Sequence, residues 1–199
     1  MKIMQRQEYT ITVYCEDQIG MLTRIAMIFS RRKINIDSFN TSPSEVKGIY
    51  RFNIVINETE DVVSKIAKQI EKQVEVIKVY FNTNEDVVWQ EMALYKVSTE
   101  AIMQKAKVER LLRKFGARAV VIRKDYTVFE TTGHREETDN LVEVLEPYGL
   151  IEFVRSARVS IINDSNGLHE KLKELDLTAA ELKNVENKFL NQNEEVFTM

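Results

Sequence analysis

The stretch CEDQIGMLTRIAMIFSRRKINIDSFN, residues 15–40, decides how this chain is read. It opens at the end of an alternating run. Tyr9, Ile11, Val13 and Cys15 share one face and Glu8, Thr10, Thr12 and Tyr14 the other, the period-two pattern of a strand. A polar turn with one glycine follows. From Ile19, the apolar residues Leu22, Ile25, Ala26 and Phe29 recur at helical spacing and predict a helix with one buried stripe. Arg31, Arg32 and Lys33 close it, where cations complement the helix dipole. Residues 35–42 read as an extended but polar edge strand that Pro43 ends.

Beyond this stretch, Tyr50, Phe52, Ile54 and Ile56 alternate with Ile49, Arg51, Asn53 and Val55. Both faces are largely apolar, which predicts a central strand. Val63, Ile66 and Ile70 mark a second helix, and residues 74–81 another strand. The order is β-α-β-β-α-β. Residues 82–88 read as a boundary, after which the order restarts. A strand at 89–97 leads to Ser98 as helix cap, and Val108, Leu111, Leu112 and Phe115 share a helical face. A hairpin turns at Lys124 and Asp125, Leu141, Val144, Leu145 and Tyr148 mark a fourth helix, and residues 150–161 read as a closing strand. The expected class is α+β: two consecutive βαββαβ units, each a four-stranded antiparallel sheet with both helices on one face. Expected bounds are 8–82, 89–163 and a helical tail at 164–199, where Leu168, Leu172 and Leu175 recur.

The bulk numbers narrow the function. With 199 residues, 44% hydrophobic, 30% charged and a net charge of −3, the chain reads as a soluble globular protein. The acidic balance argues against a nucleic-acid partner, whose phosphates demand Lys and Arg. No apolar run nears the roughly 20 residues of a membrane span, and residues 1–6 lack a signal peptide's apolar core. The one cysteine, Cys15, fits a reducing cytoplasm and a place in the core. His134 and His169 lack a second ligand at metal spacing, no nucleophile or phosphate-loop motif occurs, and Glu136 and Glu137 suit a helix start. No metal, cofactor or catalytic residue is expected in this chain.

The turn itself admits two readings. If the helix begins near Asp17, the amides of Gln18, Ile19 and Gly20 fall in its first turn without intrahelical partners. An anionic group gains hydrogen bonds and a favourable dipole there, and glycine permits close approach. Alternatively, the Asp17 carboxylate caps the helix and leaves nothing to bind. Asn35 is equally ambiguous, as connector residue or as reader of an ammonium or carboxylate.

Glu16-Asp17, the run Gly20, Leu22, Arg24 and Ile25, then Phe29-Ser30 with Arg32, and Asn35-Ile36-Asp37-Ser38 together resemble the N-terminal ACT domain of acetohydroxyacid synthase (acetolactate synthase) regulatory small subunits. That family carries a second ferredoxin-like unit after the ACT domain, which matches the layout to about residue 160. The resemblance implies a non-catalytic, cytoplasmic subunit of branched-chain amino acid biosynthesis. It would activate the catalytic large subunit and confer feedback inhibition by valine, with leucine or isoleucine as other effectors. Thiamine diphosphate, Mg2+ and FAD would belong to that partner. Carried onto this sequence, Asp17, Gln18, Ile19, Gly20, Met21 and Leu22 would form the effector turn, and Asn35 and Ile36 would come from the twin chain of an ACT-paired homodimer. Two departures stand out. Asp17 replaces an Asn of many relatives, and residues beyond 163 exceed the shortest bacterial forms. Two other readings compete. One is a stand-alone amino-acid sensor with a different client. The other is an RNA-binding sheet, since residues 47–52 loosely echo an RNP1 strand.

Overall fold

Strand β1 (Gln7–Glu16) lies at the centre of the first sheet, and its alternation is met on the helix side. In the computed structural model, which describes residues 5–103, 106–165 and 167–168, Tyr9, Ile11, Val13 and Cys15 are all buried. Helix α1 (Met21–Arg31) follows, then β2 (Ser38–Pro43), β3 (Ile49–Glu58), α2 (Glu60–Glu71) and β4 (Val76–Thr83). The antiparallel strands run β2-β3-β1-β4, so β3 is internal and polar β2 is the edge, as its sequence requires. Both helices cover one face. Val63, Ile66, Ala67 and Ile70 of α2 pack with α1 against Phe52, Ile54, Ile56 and Val79.

The buried stripe of α1 differs from the expected one. Met21, Ile25, Ile28 and Phe29 enter the core, while Leu22 stands half exposed and Ala26 intermediate. The run is apolar at so many positions that two stripes fit the same period, and docking on the sheet selects the one a residue earlier. Lys33 ends the helix with φ 56°, the left-handed conformation that closes a helix. Its N–H donates to Ser30 and that of Ile34 to Phe29.

The opposite face of the first sheet is also covered at its centre. Thr10 is 0% and Thr12 and Asn53 are each 4% exposed, and the Thr12 hydroxyl donates to Asn53 Oδ1 at 3.2 Å. This bond matters because a polar group withdrawn from water is costly unless it finds a partner.

Only residues 84–86 separate the first sheet from β5 (Val87–Ser98). There follow α3 (Thr99–Met103), α4 (Ala106–Lys114), β6 (Arg118–Ile122), β7 (Tyr126–Gly133), α5 (Arg135–Leu145), a 3-10 turn (Glu146–Tyr148), β8 (Leu150–Arg155) and β9 (Val159–Ile162). The order β6-β7-β5-β8 repeats that of the first sheet, with β9 also on β5. Where one closing strand was expected, residues 156–158 interrupt it. Ser156 N–H bonds the Met92 carbonyl, and the buried Arg158 guanidinium stacks 3.6 Å over the Trp89 ring. The core of this unit joins Ala93, Tyr95 and Val97 to Val108, Leu112, Phe129, Leu141 and Leu145. Its outer face stays open, with Met92 44% and Val154 54% exposed.

By contacts the chain divides into one unit of Met1–Val88 with Ile161–Met199 and another of Trp89–Ser160. Residues 161–165 and 167–168 therefore group with the first unit. The expected tail helices after Leu168 and His169 lie outside the described residues.

Candidate functional site

At the end of β1 the chain is tied down twice. Glu16 N–H donates to the Glu75 carbonyl at 2.9 Å, and Asp17 N–H to the Gly48 carbonyl at 3.1 Å. Gln18 N–H then turns back to the Glu16 carbonyl at 2.9 Å. Helix α1 begins only at Met21. Its N-cap is Gly20, at φ 88° and ψ −4°, with no side-chain cap. Asp17 is therefore not the cap. The left-handed Gly20 inserts a bend between the carboxylate and the first turn, a conformation that favours glycine.

The free donors follow from this geometry. Met21 N–H donates to Gln18 and Arg24 N–H to Gly20, both main-chain carbonyls. Gln18 and Met21 thus spend their amides locally, which corrects the expectation that Gln18 N–H is free, and the Met21 side chain is buried. Among the described residues, the N–H groups of Ile19, Gly20, Leu22 and Thr23 have no protein acceptor. Four such groups at a helix start form an anion-binding surface. A Cβ at Gly20 would meet nothing within 4 Å, so the approach is open. Beside it stand two apolar side chains, Ile19 fully exposed and Leu22 half exposed.

Charge around the turn is mixed. Arg24 Nη1 donates to Glu75 Oε1 at 2.8 Å and holds the Glu75 carboxyl below its ordinary range. Burial pushes the Cys15 thiol up to about 12, with Asp17, Glu16 and Glu75 adding to the rise. Cys15 is thus a neutral core thiol. Three carboxylates and one guanidinium near four open amides suit a zwitterion, with an anionic end for the amides and a cationic end for the acids.

Asn35 and Ile36 lie beyond the far end of α1, which at 11 residues is about 16 Å long. Asn35 Nδ2 donates to Asp37 Oδ1 at 3.0 Å and the side chain is exposed. One chain does not bring Asn35 to the Gly20 turn, so a ligand touching both would bridge two chains.

Elsewhere, no group of three His, Cys, Asp or Glu side chains at metal distance occurs among the described residues. His134 caps α5 and sets its ring edge-on to Trp89 at 4.2 Å. A shallow cavity of about 230 Å³ in the second unit is lined by Lys114, Phe115, Thr131 and Glu137, among others. Tyr50 and Phe52, the aromatics of the RNP1 echo, pack into the helix-side core and not on the opposite sheet face. Sequence reasoning missed the Gly48 and Glu75 acceptors and the Thr23 amide. The two acceptors are long-range partners with no local signature.

Two βαββαβ units, the first carrying an open donor turn at the start of α1, define an ACT-type chain. The comparisons agree. Residues 11–78 match the AHAS small subunit-like ACT domain family, and residues 90–164 match the family described as small subunit of acetolactate synthase. The chain is 33% identical over 165 residues to the acetolactate synthase small subunit of Mycobacterium bovis, covering 83% of this chain and 98% of that one. It is 33% identical over 147 residues to that of Bacillus subtilis, covering 73% and 85%. In structure it resembles the acetolactate synthase small subunit of Thermotoga maritima, with a TM-score of 0.72, 26% identity, and coverage of 80% and 99%. The chain belongs to the acetolactate synthase small subunit family, as a regulatory subunit.

Proposed function

We propose that this chain binds the catalytic large subunit of acetolactate synthase, raises its activity and makes it answer to valine. The observation that carries the effector half is the set of open amides at Ile19, Gly20, Leu22 and Thr23. The carboxylate of a free amino acid satisfies them, and its ammonium suits the acidic surroundings of Glu16, Asp17 and Glu75. Ile19 and Leu22 offer an apolar surface to a branched aliphatic side chain, which favours valine, leucine or isoleucine over polar amino acids.

Asp17, Gln18, Ile19, Gly20, Met21 and Leu22 then form one wall of the site, Gln18 and Met21 by shaping it. Asn35 and Ile36 of a twin chain form the other, in a homodimer paired along the β2 edges. Condensation of pyruvate with pyruvate or 2-ketobutyrate belongs to the large subunit. Thiamine diphosphate, Mg2+ and FAD are held there and none is held here. The buried, neutral Cys15 suits work in the reducing cytoplasm.

The test is a pull-down with the large subunit, followed by an acetolactate assay with and without this chain and with valine. Capture, a faster rate and a valine-dependent fall are expected. An unchanged rate with an unchanged valine response refutes the regulatory assignment. Leucine or isoleucine acting where valine does not would move the specificity within the same site.

A further inference from the structure

Leu168 lies beyond residue 164, where the family match ends, yet it is only 1% exposed. It packs on Ile49, with Tyr14, Val46 and Ile77 around the pair. Its N–H donates to Glu45 Oε1 at 3.0 Å. Glu45 belongs to the turn of residues 44–48, which is closed on itself. Ser44 N–H bonds the Ile49 carbonyl at 2.8 Å, Ile49 N–H bonds that of Val46 at 3.2 Å, and the Ser44 hydroxyl bonds both polar groups of the Val46 main chain. This same turn ends in Gly48, whose carbonyl accepts Asp17 N–H at the root of the effector turn. Tyr14, the other wall of the Leu168 pocket, lies on β1 three residues before Asp17.

The Gly48 tether, through residues 44–48, and the end of β1, through Tyr14, thus both bear on Leu168. We propose that Leu168 and Glu45 are positioning residues for the effector turn, and that docking of the segment after β9 and effector binding are thermodynamically linked. Leu168 fills the space beneath Ile49 and Val46, and the Glu45 carboxylate holds Leu168 by accepting its main-chain N–H. Together they keep residues 44–48 where Gly48 can hold Asp17. Loss of either lets the acceptor shift, and the open amides lose their common direction. Linkage is reciprocal, so a bound effector also tightens the Leu168 contact.

The inference rests on the effector reading only for its binding arm, so two readouts are used on the full chain. In the first, hydrogen exchange is followed at the Asp17 amide without ligand. Leu168→Ala is expected to speed it by at least about 5-fold and Glu45→Ala by less, while Glu45→Gln, which keeps an oxygen acceptor, stays near wild type. In the second, valine binding is titrated calorimetrically, and Leu168→Ala is expected to weaken it by about 5-fold or more. Ile66→Ala, a comparable truncation in the helix-side core, controls for general loss of stability and should leave both readouts within about 2-fold of wild type. Glu45→Ala changes an exposed side chain and keeps the test open should Leu168→Ala fold poorly. Wild-type Asp17 exchange in Leu168→Ala and Glu45→Ala, or an equal effect of Ile66→Ala, overturns the proposal. If wild type itself ignores valine, the effector reading falls and the exchange arm still decides this one.

Discussion

The two units make the same junction and finish it differently. In the first, Glu16 N–H bonds the Glu75 carbonyl just before β4, and Asp17 N–H bonds the Gly48 carbonyl just before β3. In the second, Ser98 N–H bonds the Gly149 carbonyl just before β8, and Thr99 N–H bonds the Asp125 carbonyl just before β7. The paired tethers are equivalent. From there the first unit inserts Gln18, Ile19 and Gly20 ahead of its helix, and the second enters α3 directly at Thr99. Thr99 is buried, and its hydroxyl bonds the Arg123 carbonyl at 2.8 Å and the Thr127 hydroxyl at 2.9 Å. One junction adds a glycine turn ahead of its helix, and the other starts its helix at Thr99, whose hydroxyl is spent within its own unit. Repetition of the fold has not repeated the Gly20 turn.

The largest expected effect lies at the open junction. Gly20→Asp places a carboxylate where the effector's own would sit. Hydrogen bonds to a charged group are worth about 1.5–3 kcal/mol, so valine binding should fall on the order of 100-fold. The fold should survive, because space at Gly20 is free, and calorimetry beside thermal unfolding separates the two outcomes. At the second junction, Thr99→Val removes a hydroxyl that the Arg123 carbonyl and the buried Thr127 hydroxyl both use. It should cost about 1–2 kcal/mol of stability by denaturant titration and leave valine affinity unchanged.

Gly20→Ala tests conformation without charge. A Cβ at φ 88° is strained but clashes with nothing, so about 1 kcal/mol of stability and a several-fold loss of affinity are expected. The smallest effect belongs to Arg24→Gln. Glu75, the counterpart of Gly149, has its carboxyl depressed by Arg24. The stabilisation is therefore present above the ordinary carboxylate range and lost as pH falls through and below it. Since both partners are partly exposed, the variant should lose no more than about 0.5 kcal/mol near neutrality, and the difference should vanish in acid melts.

Much of this was legible in the sequence. Alternation at Tyr9, Ile11, Val13 and Cys15 located a strand, and the polarity of residues 35–42 pointed to the edge strand, which forms three residues later, at Ser38–Pro43. The lone glycine before an apolar helical run marked the turn. What the sequence hid depends on distant partners. Met21 and Ile28 face the core in place of Leu22 and Ala26 because the helix docks with a rotation that periodicity leaves open. The cap moved from Asp17 to Gly20 because Gly48, 31 positions away, captures the Asp17 amide. The break between β8 and β9 depends on Arg158 meeting Trp89 across 69 positions. Leu168 looked like the start of a tail stripe, and its burial on Ile49 has no local cause.

The most direct test of a site confined to the first junction is an amide-shift titration of the isotope-labelled chain with valine. The account predicts saturable shifts at Ile19, Gly20, Leu22 and Thr23, with a second group at Asn35 and Ile36, and still signals at Ser98 and Thr99. Shifts centred on the second junction, or none at either at millimolar valine, would contradict it.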